Sequence, residues 1–257
     1  MIPSVAPPPD PLKSLPTDVD LDIDPEAALA RLPTDLDLPY SDGMPMDSPW
    51  HRACMNLLIE SVEGHWRGRK DFYVGGDMFL YFSTEHVFNK DFRGPDVFVV
   101  LNVEHDKPRR SWVMWQEGGK MPDLIIELSS PSTKHIDREE KKKLYAATFR
   151  TQEYFIYDPE TETLEGWTWT RYRYDKAVPV DSAGRAVSRI LGASLGTFDC
   201  EYQGHRSKWL RLFSSEGQLI PTAEELVSAE KARADAAEAE LAQLRTELAA
   251  LKQPPQP

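Results

Sequence analysis

The sequence predicts an α/β domain: a mixed β-sheet flanked by helices, followed by a C-terminal coiled-coil helix. Three observations predict it. Short apolar runs, GPDVFVVLNV, PDLIIELSSPST and EYFIYDP, are rich in Val, Ile, Leu and Phe and read as buried strands. One helical segment precedes these runs and a second falls between the last two, so the order helix, strands, helix, strands describes a core around a mixed sheet. Near the C-terminus the spacing changes again, to the alternating threes and fours of a coiled coil.

Each element follows from its residues. Residues 1–45 are rich in Pro and Asp with scattered apolar side chains, and read as a disordered acidic arm. A brief helix over Pro25–Arg31 has Asp24 as its cap. The folded domain is expected over residues 46–215. Ser48 can cap its first helix, Pro49 suits the first turn, and Cys54, Leu57, Leu58 and Val62 form the apolar stripe. DFYVGGDMFLYFS reads as strand with a bend at Gly75-Gly76. The strand beginning at Asp96 follows, then a loop through His105–Arg110, the run SWVMWQ, a turn at Glu117–Lys120 and the strand around Glu127. Asp137 as N-cap and Glu140 three residues later form a capping box for a second helix over Arg138–Thr148. EYFIYDP ends in a turn at Asp158-Pro159, and LEGWTWTRYRYDKAV alternates as an antiparallel strand or hairpin. In residues 222–252 the coiled-coil positions are Val227, Glu230, Ala234, Ala237, Leu241, Leu244, Leu248 and Leu251, and the tail QPPQP reads as disordered.

The net charge of −12 belongs to the two ends. Residues 1–47 hold 10 acidic and 2 basic side chains, and residues 216–257 hold 8 and 4, whereas residues 48–215 hold 24 of each. An anionic substrate is therefore not excluded for the core, and no strong basic patch announces nucleic acid. Cys54 and Cys200 make neither a metal spacing nor a disulfide framework, which suits a reducing, cytoplasmic setting. The N-terminus has neither the basic start nor the apolar run of a signal peptide. No stretch approaches the ~20 apolar residues of a membrane helix.

The chemistry centres on two acids. Asp96 and Glu127 each lie in a run that reads as buried strand, where an ionised carboxylate is costly unless paired or bound to metal. Two such acids on neighbouring strands repel each other, and a divalent cation between them removes the difficulty. Mg²⁺ (or Mn²⁺) takes one or two protein carboxylates and keeps several waters, so Asp96 and Glu127 meet its need, with the Leu128 carbonyl as a third ligand. Downstream, DREEKKKLY offers a lysine to orient water and to stabilise charge on a phosphoryl group. Lys141 is preferred, with Tyr145 one turn further on the same face; Lys142 and Lys143 point elsewhere on the helical wheel.

The succession PDVFVV, PDLIIELSSPST, DREEKKKLY and EYFIYDP resembles the Uma-type restriction endonucleases of the PD-(D/E)XK nuclease superfamily. The resemblance covers about residues 40–215 and is most specific over Pro122–Pro159. It implies a restriction-endonuclease-like fold, a Mg²⁺ site and cleavage of DNA, with Asp96 in the place of the motif's first acid and Glu127 in that of its second. One departure stands out: the superfamily lysine two residues after the second acid is here Ser129. The resemblance puts the lysine on the following helix, at Lys141.

Other residues read more plainly. Asp123 follows a proline and reads as the start of a strand. Ser130, Ser132 and Thr133 read as loop capping rather than phosphate contacts. His51 reads as a surface or capping histidine, and Asp77 as a bend residue. Trp112, Trp115, Trp167 and Trp169 read as core or sheet-face packing rather than base-stacking platforms, and Arg109 and Arg110 as a charged loop tip. Two functions are carried forward: a Mg²⁺-dependent DNA endonuclease, homodimeric through the coiled coil, and a catalytically inactive nuclease fold serving as a binding or oligomerisation module. In a third reading the acidic arm mimics DNA.

Overall fold

A computed structural model describes residues 30, 32–38, 48–83, 94–130 and 133–251 of the 257. Residues 1–33 and 34–257 make two units, and the helices and sheets belong to the second. The helix expected over Pro25–Arg31, most of the acidic arm and the QPPQP tail lie outside the described residues. Ser48 and Pro49 begin the first helix, α1 (Pro49–His65). The Ser48 hydroxyl accepts from the His51 amide at 3.1 Å. Proline in the first turn lacks only an N–H that would have had no helical partner.

In chain order the strands are β1 (Phe72–Gly75), β2 (Leu80–Tyr81), β3 (Val97–Leu101), β4 (Trp112–Val113), β5 (Leu124–Leu128), β6 (Glu153–Asp158), β7 (Thr163–Thr170), β8 (Arg173–Ala177), β9 (Ala186–Ser188), β10 (Ala193–Tyr202) and β11 (His205–Phe213). A six-stranded sheet runs β1-β3-β5-β6-β7-β8. Its β5–β6 pair is parallel and its other pairs are antiparallel, so the sheet is mixed as expected. β2 and β4 form a short parallel pair, and β9, β10 and β11 an antiparallel sheet.

Alternation gives the large sheet two faces. On one, Val97, Val99, Leu124, Ile126, Leu128 and Phe155 pack with Leu57, Leu58 and Val62 of α1 and with Trp209, Leu210 and Leu212 of β11. On the other, Phe98, Ile125, Tyr154 and Ile156 pack with Tyr145, Ala146 and Phe149. Each aliphatic side chain buried this way contributes about 1.5–3 kcal/mol. Glu127 is two residues from Ile125 and shares the second face.

That face is covered by α2, the crossover a parallel pair requires. It runs without a break through Lys134–Ile136, Asp137–Lys141, Lys142–Leu144 and Tyr145–Phe149, the second and fourth stretches having the wider π-type turn. The start differs from expectation. The Ser130 amide donates to Thr133 Oγ1 (3.0 Å) and the Lys134 amide to the Ser130 carbonyl (2.9 Å), so a turn built by Ser130 and Thr133 opens the helix before Asp137 is reached. Asp137 is therefore not an N-cap, and it is freed to face inward. Arg150, at φ 56°, closes α2 in the left-handed conformation that commonly ends helices.

LEGWTWTRYRYDKAV forms the expected hairpin, β7–β8. Leu38 is buried with Phe79, Tyr81 and Val113. The last helix, α3 (Ala223–Leu251), is opened by Thr222 and Glu225, which bond reciprocally: the Glu225 amide donates to Thr222 Oγ1 (3.2 Å) and the Thr222 amide to Glu225 Oε2 (2.7 Å). Val227, Leu241, Leu244 and Leu248 on it are exposed. Among the described residues no helix is long and apolar enough to cross a membrane.

Candidate active site

Asp96, Glu127 and Lys141 come together at the ends of β3 and β5 beneath α2. Glu127 is fully buried. Its Oε1 accepts from the Tyr145 hydroxyl at 2.8 Å, and its Oε2 lies 3.0 Å from Lys141 Nζ and 3.4 Å from the Asp96 amide. Asp96 Oδ2 accepts from the Leu128 amide at 2.6 Å, and its Oδ1 is 3.0 Å from His51 Nε2. Gly76 permits this placement: a Cβ there would come within 2.3 Å of the Asp96 carbonyl oxygen. Leu128 thus touches the site through its N–H. A strand residue projects its N–H and C=O to the same side, so the Leu128 carbonyl belongs to the edge that carries Asp96.

The structure corrects the sequence reading at two residues of this cluster. Asp137 is buried, and its Oδ1 lies 2.9 Å from Lys141 Nζ. Asp137, Lys141 and Tyr145 follow one another at intervals of four and form a single inward stripe on α2. The spacing carries that signal, but a capping box at Asp137 and Glu140 competes with it. His51 is neither superficial nor a cap. It is buried within the first turn of α1 and bonds Asp96. Its signal is position: it stands three and seven residues before Cys54 and Leu58, on the buried stripe.

The acids crowd together. Glu127 and Asp137 both contact the Lys141 ammonium, and Asp96 bonds His51 beside them. Burial pushes the Glu127 carboxyl up to about 8, and Asp96 and Asp137 add to this against the opposing pull of Lys141 and Tyr145. Burial also works against the Lys141 ammonium, but Glu127, Asp137 and Asp96 outweigh it and hold its pKa above the ordinary lysine range. Among the described residues no group of three or more His, Cys, Asp or Glu is arranged to hold a metal ion. A cleft of about 350 Å³, bordered by Ser48, His51, Ser129 and Ser130, meets the cluster at His51, the residue that bonds Asp96. Ser129, standing where the superfamily motif has lysine, is buried there with its Oγ unpartnered.

The remaining candidates separate cleanly. Arg109 is not a loop-tip charge. Its guanidinium is buried, bonded to Glu117 (3.0 Å) and to the carbonyls of Lys107 and Glu104, and stacked on Tyr73 and Trp112, so it has no face for phosphate. Trp112 is fully buried, and Trp167 and Trp169 pack on the sheet, as expected. Asp123 accepts from the Leu101 amide at the start of β5 (2.7 Å), and Asp77 occupies the bend at φ 49°. Ser132 lies outside the described residues.

The family model described as "Uma2: Putative restriction endonuclease" matches residues 27–192. The chain belongs to this family. The match spans Asp96, Glu127, Lys141 and the residues that position them. A crystal structure described as "a putative nuclease belonging to DUF820" from Anabaena variabilis ATCC 29413 is also similar, at 19% identity and a TM-score of 0.39, over 60% of this chain and 91% of that one. No curated protein matches.

Proposed function

We propose that this Uma2-family chain is a Mg²⁺- or Mn²⁺-dependent endonuclease that hydrolyses phosphodiester bonds in DNA. The observation that carries the reading is the crowding of Asp96 and the buried Glu127 and Asp137 around the Lys141 ammonium. Without a further cation, holding Glu127 there costs either a buried charge or a carboxyl pushed up to about 8. The donors fit a hard divalent cation: carboxylate oxygens of Asp96 and Glu127, the backbone edge at Leu128, and a cleft that admits water. A bound cation would supply charge neutralisation at the phosphoryl group and a more acidic water.

The chain's own residues have distinct tasks in this reading. Asp96 and Glu127 hold the cation. His51 and the Leu128 amide fix Asp96, and Tyr145 fixes Glu127, so neither carboxylate must be reoriented. Asp137 anchors the Lys141 ammonium, which orients the attacking water or stabilises the developing phosphoryl charge. Lys141 arrives from α2, so Ser129 need not be a lysine.

The test is plasmid cleavage with wild type and Glu127→Ala prepared identically. Nicking or linearisation by wild type alone, abolished by EDTA, is expected. Equal cutting by both preparations would identify a contaminant and remove the proposal. A second reading, that the chain self-associates through α3, is favoured by the exposed Val227, Leu241, Leu244 and Leu248 at heptad-like spacing. Replacing Leu241 and Leu244 by Glu should then lower the mass found by sedimentation equilibrium, and an unchanged mass excludes α3 as the interface.

A further inference from the structure

The stripe of α2 next to the catalytic one faces outward. Arg138 and Lys142 lie one residue beyond Asp137 and Lys141, and Lys143 one residue further. Together with Arg173, Tyr172 and Tyr174 of the β7–β8 hairpin they line a groove of about 410 Å³. It contains four basic side chains against one acid, Glu139. In a stretch, residues 48–215, that holds 24 acidic and 24 basic side chains, this is a local excess of base. Part of the charge is engaged: Arg138 bonds Glu165, Arg173 bonds Asp175 at 3.2 Å, and the Lys142 ammonium sits 3.5 Å above the Trp167 ring. Lys143 is exposed and makes no ion pair among the described residues.

The hairpin tip is a second, independent observation. Thr170 pairs with Arg173, leaving Arg171 and Tyr172 as a two-residue turn, at φ 45° and 74°. A turn with both residues at positive φ is the place for Asn-Gly, and bulky side chains are strained there. Tyr172 is nevertheless 57% exposed. Its ring makes an edge contact with Trp169 (5.9 Å), and the Arg150 guanidinium lies over one of its faces, 5.1 Å from the ring centre, so a base would stack on the opposite face. A strained turn that presents an aromatic ring beside a basic groove marks a surface kept for binding rather than for stability.

We infer that this groove takes the phosphate backbone of a nucleic-acid strand, with a base stacked on Tyr172, flanking the bond presented to Asp96 and Glu127. The inference rests on the nuclease reading of that site. Phosphates match the row Arg138, Lys142, Lys143 and Arg173, and an exposed tyrosine offers a stacking platform indifferent to base identity. The groove and the catalytic stripe lie on adjacent faces of one helix: Arg138 and Lys142 line the groove and directly follow Asp137 and Lys141 in the chain.

The test is binding of a fluorescent oligonucleotide, single-stranded and duplex, to the full chain in EDTA, so that cutting does not interfere. Lys143→Glu should weaken binding and flatten its salt dependence by about 0.7–0.9 of a log unit per log unit of salt for one phosphate contact. Tyr172→Gly should weaken binding about tenfold through lost stacking while the melting temperature holds or rises, because glycine relieves the turn. A wild type that binds but never cuts, even with Mg²⁺ or Mn²⁺, contradicts the proposed activity and leaves the groove standing. Absence of wild-type binding, unchanged binding in both groove variants, or polyglutamate binding as tightly as the oligonucleotide and insensitive to Tyr172→Gly would overturn the groove proposal.

Discussion

Arg211 of β11 and Glu127 of β5 both place an ionisable group where water does not reach, and their surroundings treat it in opposite ways. Arg211 is fully buried, and its guanidinium meets one carboxylate, Glu225, in two bonds of 3.0 and 2.7 Å, with a third to the Ile220 carbonyl at 3.2 Å. Burial works against the Glu225 carboxylate, but the Arg211 bonds and the Thr222 amide outweigh it and hold its pKa below the ordinary range. One cation meets one anion, and the pair ties α3 to β11. Around Glu127, three carboxylates share the Lys141 ammonium and the His51 ring, and burial drives the Glu127 carboxyl upward. The first is a matched pair that holds the fold together; the second is the cluster for which a divalent cation is proposed.

The largest way to sharpen this contrast is Lys141→Met. Removing the ammonium proposed to orient water should lower cutting about a thousandfold. It also removes the cation that competes for Glu127 Oε2, so Mn²⁺ affinity should rise about tenfold, or 1.4 kcal/mol. Cleavage assays and calorimetric titration of one preparation separate the two effects. A parallel fall in both would mean that Lys141 is needed to build the site. At the balanced pair, Glu225→Ala strands the Arg211 guanidinium and should cost about 3 kcal/mol of stability. Denaturant unfolding measures it, and cutting by the folded fraction should be unchanged. A variant as stable as wild type would break the comparison from the structural side.

Both variants test residues that are legible in the sequence to different degrees. The strands around Asp96 and Glu127 and the start of α1 at Ser48-Pro49 follow from composition and capping, because local chemistry decides them. Lys141 follows from its place on the crossover helix, and its ammonium reaches Glu127 as that reading requires. Asp137 does not follow, because Ser130 and Thr133 open the helix earlier than the capping box Asp137–Glu140 suggests. Which of two competing caps wins is settled by how the chain leaves β5, and that is tertiary. His51 reaches Asp96 across 45 residues of sequence. Its position on the stripe announces burial, but only the packing of α1 against the sheet supplies the partner. Arg211 is hidden for a similar reason, since nothing in β11 itself calls for an acid.

The smallest expected effect is in pH dependence. The Glu225 carboxyl is depressed in the folded state, so its contribution to stability is fully present above the unfolded carboxylate value and is lost as pH falls through the folded one. The stability gap between wild type and Glu225→Gln should therefore be widest at neutral pH and should close below about pH 4.5, the ordinary glutamate value. Unfolding curves at several pH values check this, and a gap independent of pH would assign the role of Glu225 to packing rather than charge.

Titration of Mn²⁺ into wild type and Glu127→Gln, followed by calorimetry on the full chain, addresses the central claim most directly. Divalent-ion binding by wild type, lost in a variant that keeps the wild-type melting temperature, is the predicted result. No binding by wild type, or equal binding by both proteins, would contradict it.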